Sequence, residues 1–214
     1  STKVMLSGRR WEQKPCSSQK RKSRKGRRKK GVFPRTPTRS KKFQLRMTIE
    51  VKKTKLECVL LIQPDIHTDM RGCNVTLYSK RLYEEQGINL EFVENKVSVS
   101  KRNVLRGIHG DNDTWKLISC LSGTIFLAVV NCDESSPEFG KWESFTLSGD
   151  DFCQVLVPPK FGNGHVVLSD SAVFHYQWSA YYDLSNQFSY KYNDPRFNID
   201  WPVKEPIVIG RDKP

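Results

Sequence analysis

The chain has 214 residues, with 36 Lys plus Arg against 23 Asp plus Glu, 37% hydrophobic and 11% aromatic residues, which excludes a fibrous or wholly disordered polymer and suits one domain or two small ones. The net charge of +13 points to a nucleic-acid partner only until the chain is divided at Met47. Residues 1–46 hold 18 basic residues and one acidic residue, Glu12, whereas residues 47–214 hold 18 basic against 22 acidic, so the body is mildly acidic.

Residues 1–46 carry the run Gln19-Lys20-Arg21-Lys22-Ser23-Arg24-Lys25-Gly26-Arg27-Arg28-Lys29-Lys30, then Pro34 and Pro37, with no apolar period. Such a segment cannot bury enough surface to order itself and is expected to be disordered. A nucleic-acid tail, a nuclear-type address and an Arg- and Ser-rich transit peptide fit it; a secretory leader does not, for want of an apolar core. Met47 is followed at once by the patterned Thr48-Ile49-Glu50-Val51, so a non-native upstream extension fits residues 1–46 equally well.

Further along, apolar runs rich in β-branched and aromatic residues occupy 56–62, 90–93, 104–108, 115–121, 124–130, 152–157, 166–168 and 172–178, and each reads as a strand. Turn signals stand between them at Ser122-Gly123, Ser135-Ser136-Pro137, Ser148-Gly149-Asp150-Asp151, Pro158-Pro159 and Ser169-Asp170, the spacing of an antiparallel sandwich or barrel. Only residues 79–86 read as a helix. No stretch has the roughly 18 consecutive apolar residues of a membrane span. The six cysteines, Cys16, Cys58, Cys73, Cys120, Cys132 and Cys153, form no C-x-x-C pair and three lie inside apolar runs, so they read as reduced core residues of a cytoplasmic protein.

Few residues could do chemistry. His109 stands just past a strand end, and the next strand carries Lys116, which alternation places on the face of Ile118 and Cys120. A lysine on an apolar face must be paired, at an open end, or waiting for an anion. In the run 172–178, Ala172, Phe174, Tyr176 and Trp178 share one face, expected to point inward, which leaves His175 exposed. Tyr176 then lines the interior, either as a hydrogen-bonded core phenol or as an acid. His67, His109, His165 and His175 form no His-x-His pair and have no completing glutamate, so no metal is expected.

The segments Val104-Leu105-Arg106-Gly107-Ile108-His109, Trp115-Lys116-Leu117, Ser136-Pro137-Glu138-Phe139-Gly140-Lys141-Trp142, Val157-Pro158-Pro159-Lys160-Phe161-Gly162, Val167-Leu168-Ser169-Asp170, Asn193-Asp194-Pro195 and Asp200-Trp201-Pro202 closely resemble the dTDP-4-dehydrorhamnose 3,5-epimerase family, in order and spacing. The resemblance covers about residues 56–214. It implies an all-β, cupin-type jelly roll (double-stranded β-helix) that pairs into a homodimer and epimerises a nucleotide-linked 4-keto sugar without metal or nicotinamide cofactor. His109 matches the family's general base, Asp212 the carboxylate that orients it, Tyr176 the acid of the opposite face, and Lys116 the cation beside the enolate oxygen. Arg71 and Arg106 match phosphate contacts. Arg106 and His109 have opposite parity, so both can serve one site only if the strand is broken between them, at Gly107.

Departures from the family pattern bear on the substrate. Asn163 stands where a pocket histidine is usual, His165 appears two positions later, Gly110-Asp111 replaces Tyr-Gln, and Glu94 and Lys96 replace Gln and Asn at positions used for nucleotide contact. These features look more like the branch acting on GDP-4-keto-6-deoxy-heptoses for capsule and lipopolysaccharide than the dTDP-hexose enzymes. The competing reading is a non-catalytic cupin whose basic tail binds nucleic acid.

Overall fold

The computed structural model describes residues 47–212, so residues 1–46, with the expected disordered extension and Cys16, lie outside the described residues. The body is built from thirteen strands and one short α-helix. Six strands form one antiparallel sheet in the order β1 (Ile49–Lys53), β2 (Leu60–Pro64), β10 (Gln154–Val157), β7 (Lys116–Ser122), β12 (Ser171–Trp178), β5 (Glu94–Lys101). Five form the facing sheet in the order β13 (Gln187–Ser189), β6 (Leu105–Asp111), β11 (Phe161–Val167), β8 (Thr124–Asn131), β9 (Trp142–Ser148). The chain passes from one sheet to the other at nearly every step from β5 to β12, which is the winding of a jelly roll. A separate hairpin, β3 (Ile66–Asp69) and β4 (Gly72–Val75), belongs to neither sheet.

Three apolar clusters explain why the runs looked continuous rather than alternating. The central one lies between the sheets, where Ile118 and Cys120 of β7, Val155 and Val157 of β10 and Phe174 of β12 meet Ile125, Leu127 and Val129 of β8. A second covers the outside of the six-stranded sheet, where Ile62, Leu117 and Leu156 pack under Leu82 and Tyr83 of α1 (Lys80–Glu85). The third covers the outside of the five-stranded sheet, where Ile108 and Val130 pack with Cys132 and Phe197. Strands buried on both faces lose the period-2 signal. No helix among the described residues is long and apolar enough to cross a membrane.

The helix expected at 79–86 is present, with Ser79 and Gln86 as its flanking caps. Other expectations need correction. The run 56–62 enters strand only at Leu60; its first half is a turn in which Cys58 has φ 63° and is exposed. The run 90–93 lies outside any strand and leads into β5, whose alternation is inverted: polar Ser98 lines the interior while Val97 and Val99 are 57% and 67% exposed. Of the described cysteines, all free thiols, Cys120 and Cys132 are buried but Cys58 and Cys73 are exposed, so the core reading fails for those two. His175, expected on the surface, is 8% exposed. The outer face of its sheet is closed over it by short neighbours: Ser119 Oγ lies 2.9 Å from its Nδ1 and Asn95 Oδ1 lies 3.2 Å from its Nε2.

Candidate active site

One cavity of about 380 Å³ opens between the sheets. The six-stranded sheet supplies the inward residues of three adjacent strands, Lys96 and Ser98 from β5, Phe174, Tyr176 and Trp178 from β12, and Lys116 from β7. The register is tight, with Tyr176 opposite both Lys96 and Ile118, and Trp178 opposite Lys116. The five-stranded sheet supplies Arg106 and His109 from β6 and Asn163 and His165 from β11; Tyr182, Gln187 and Ile209–Gly210–Asp212 close the rim.

The parity conflict between Arg106 and His109 is resolved at Gly107. His109 pairs with Asn163 and Arg106 with His165, so β6 spends three steps where β11 spends two, a bulge that returns both side chains to the cavity face. Gly107 has φ +122°, and a Cβ there would lie 2.5 Å from Gly164 Cα and 2.7 Å from the Asn163 carbonyl oxygen, so only glycine fits. The bulge also anchors the next group, because the Gly107 N–H donates to Asp212 Oδ2 at 3.3 Å.

Asp212 is 6% exposed and its Oδ1 lies 2.7 Å from His109 Nε2. With the Nε2 hydrogen given to the carboxylate, a neutral ring carries its lone pair on Nδ1, and the buried negative charge stabilises the imidazolium formed when that nitrogen takes a proton. Lys116 is 4% exposed; its Nζ reaches the His109 carbonyl oxygen at 3.4 Å and Asn163 Oδ1 at 3.5 Å. Burial pulls its pKa down to about 8, opposed by the charge of Asp111. His165 is stacked on Phe174, with ring centroids 4.0 Å apart at 8°, and burial followed by the nearby Arg106 and His109 charges pulls its pKa to about 3, which keeps it neutral. Arg106 is fixed through Nε, which donates to Ser100 Oγ at 3.0 Å. At the mouth, Lys96 pairs with Glu94 at 3.1 Å and sits 4.2 Å over Trp178 and 4.3 Å over Tyr182.

The structure therefore gathers His109, Asp212, Tyr176, Lys116, Arg106, Lys96, Asn163 and His165 around one space. Arg71 is the exception. It lies at the tip of the β3–β4 hairpin, 86% exposed by its side chain and paired with Asp69, and does not line this cavity within the chain. Sequence reasoning did not single out Ser98, Tyr182, Gln187, Ile209 or Gly210; the inverted alternation of β5 was the one signal that could have exposed Ser98. Among the described residues, no three His, Cys, Asp or Glu side chains are grouped as a metal ion would require.

The family model for dTDP-4-dehydrorhamnose 3,5-epimerase matches residues 53–214. The chain belongs to that family. Among its relatives, the dTDP-4-dehydrorhamnose 3,5-epimerase of Salmonella typhimurium is 36% identical over 167 residues, covering 76% of this chain and 91% of the relative, and that of Shigella flexneri is 34% identical over 168 residues, covering 77% and 93%. A dTDP-6-deoxy-D-glucose-3,5-epimerase from Legionella pneumophila, solved with dTDP-4-keto-L-rhamnose, superposes with a TM-score of 0.72 at 35% identity over 77% of this chain and 89% of its own. A 3'-monoepimerase from Streptomyces bikiniensis, solved with dTDP-quinovose, gives 0.70 at 28% identity, covering 74% and 83%. Membership of the 3,5-epimerase family makes the chain an isomerase acting in sugar biosynthesis, and the two-sheet architecture is the fold of that family.

Proposed function

We propose that the cavity inverts carbon 3, carbon 5 or both of a nucleotide-diphosphate-linked 4-keto-6-deoxy sugar, without metal or nicotinamide, in a cytoplasmic homodimer. The observation that carries this reading is the arrival of the His109–Asp212 pair and of Tyr176 from opposite sheets into one space. A ketone at carbon 4 acidifies the hydrogens on its neighbours. His109 takes one of them, the electron pair moves onto the carbonyl oxygen, and the Lys116 ammonium stabilises the enolate. Tyr176 gives its phenolic proton to the opposite face as the ketone re-forms, and solvent restores both groups. Arg106 and Lys96 are the cations placed for the diphosphate, and Asn163 and the neutral His165 for the sugar.

The guanosine-linked heptose expected from Gly110-Asp111, Asn163 and His165 finds no support among the relatives named above, which are dTDP-sugar enzymes. A dTDP-4-keto-6-deoxy hexose is therefore the first substrate to offer. Arg71 enters the reading through the homodimer: its hairpin stands apart from both sheets, with Met70 fully exposed at the tip, and is an arm of the kind that reaches a neighbouring subunit.

The test is incubation with dTDP- and GDP-linked 4-keto sugars in deuterium oxide, with the label located by NMR. Wild type should incorporate deuterium at carbon 3, carbon 5 or both, and His109→Ala should incorporate none. Label entering at the wild-type rate in His109→Ala would remove this residue from the chemistry.

A further inference from the structure

The Lys116 ammonium has an aromatic neighbour that the proposed reaction leaves without a role. Trp178 of β12 stands directly opposite Lys116 of β7, and partners in register on one face of a sheet bring their side chains together. Lys116 Nζ lies 5.3 Å from the centroid of the Trp178 ring, within the range at which a ring face attracts a cation. The indole is 4% exposed and is packed between Tyr176, with centroids 6.1 Å apart, and Tyr182, at 5.5 Å. Its buried Nε1–H finds no acceptor among the described residues, so no hydrogen bond accounts for where the ring lies.

The other groups that hold Lys116 are weak partners for a buried charge. Its two hydrogen-bond acceptors, the His109 carbonyl oxygen and Asn163 Oδ1, are neutral and stand at 3.4 and 3.5 Å, beyond the usual range for such bonds. By element, the ionisable groups around it are Lys96 on β5, Asp111 and the His109–Asp212 pair at β6, Cys132 beyond β8, His165 on β11 and Tyr176 on β12. Burial acts most strongly against its charge; Asp111 and then Cys132 favour the charge, and Lys96 opposes it. A carboxylate in contact would hold the ammonium more firmly but would cancel the charge that an enolate needs. A ring face attracts the cation and leaves its net charge whole. We propose that Trp178 is a positioning residue of the reaction, an aromatic face that holds the Lys116 ammonium charged in a dry site without neutralising it.

The inference rests on the nucleotide-sugar reading for its meaning in catalysis, but the charge of Lys116 can be measured with no ligand present. The whole chain, carrying lysine isotopically labelled at Cε, is titrated by NMR, and the resonance lost in Lys116→Met gives the assignment. Trp178 is then replaced site-specifically by fluorotryptophans of increasing fluorine content, which drain the ring face of negative charge while nearly preserving its size. Each added fluorine should lower the Lys116 pKa, which starts at about 8, and the whole series should lower it by about half a pH unit to one pH unit. The alkaline limb of kcat, measured with saturating dTDP-linked 4-keto sugar, should move down with it.

A Lys116 pKa that does not change along the series would overturn the proposal, because a ring that only fills space is indifferent to its fluorine content. A pKa that falls while the alkaline limb of kcat stays in place would overturn the role in the reaction. A wild type that exchanges no hydrogen of any nucleotide sugar overturns the reading of function instead, and the titration still decides whether the ring holds the charge.

Discussion

At the scale of single residues, burial pulls Lys116 to a pKa of about 8 from an ordinary 10.5, and this gives activity and stability opposite responses to pH. Between those values the unfolded chain binds more protons than the folded one, so folding stability rises with pH across that window. The enolate of the proposed reaction, by contrast, needs the ammonium, so turnover should fall as pH climbs past about 8. Thermal melts and initial rates on one pH series check both signs; a melting temperature that drops across pH 8–10 would contradict the assignment. Lys116→Met should lose at least a hundredfold in turnover and melt a few degrees higher, because an apolar side chain suits a site that taxes the charge. Asp212→Asn removes the charge that stabilises the His109 imidazolium and should cut turnover by about 10²- to 10⁴-fold with KM little changed. Tyr176→Phe should still exchange hydrogen through His109 while yielding no inverted product, which NMR separates from simple inactivity.

At the scale of elements, the bulge in β6 is what makes a site from a strand. Without it Arg106 and His109 would point to opposite faces, and the Asp212 carboxylate would lose the Gly107 N–H. Gly107→Ala should cost about 3 kcal/mol or more of folding stability, read from urea denaturation, because φ is positive and the Cβ meets backbone that cannot move aside. Fully native stability in that variant would argue against the bulge. Strand β5 shows the same logic from the other wall. Its valines face outward and its Lys96, Ser98 and Ser100 inward because the interior at this end is a polar cavity, and Ser100 is spent on holding Arg106. A hydrophobicity pattern read for a dry core gives the wrong side for such a strand.

At the scale of the whole molecule, the arm carrying Arg71 makes the proposed homodimer testable by mixing. Arg71→Ala and His109→Ala should each be inactive or nearly so, whereas an equimolar mixture allowed to exchange subunits should recover activity at about a quarter of the sites, since half the dimers are mixed and each then holds one site with both residues intact. No recovery after verified exchange would leave Arg71 without a role in the neighbouring site. The charge of residues 1–46 makes a separate claim. If that segment binds nucleic acid, retention of the full chain on immobilised RNA or DNA at low salt should vanish on its deletion, with kcat/KM unchanged within twofold, because the family match begins only at residue 53.

Much of this was legible from residues alone. Runs separated by turn signals dictated an antiparallel β architecture, the inward parity of Tyr176 and Lys116 followed from strand alternation, and the opposed parity of Arg106 and His109 called for a break at Gly107 once the family resemblance placed both in one site. These are local properties, set by the period of a strand and the reach of a side chain. Tertiary structure alone decided the rest: that His175 is sealed by Ser119 and Asn95, that Arg71 stands away from the cavity, and that Gln187 meets Asp111 across 76 residues. Each depends on which strands lie side by side, and pairing between distant segments is fixed by the packing of whole sheets, which leaves no period in the chain to read.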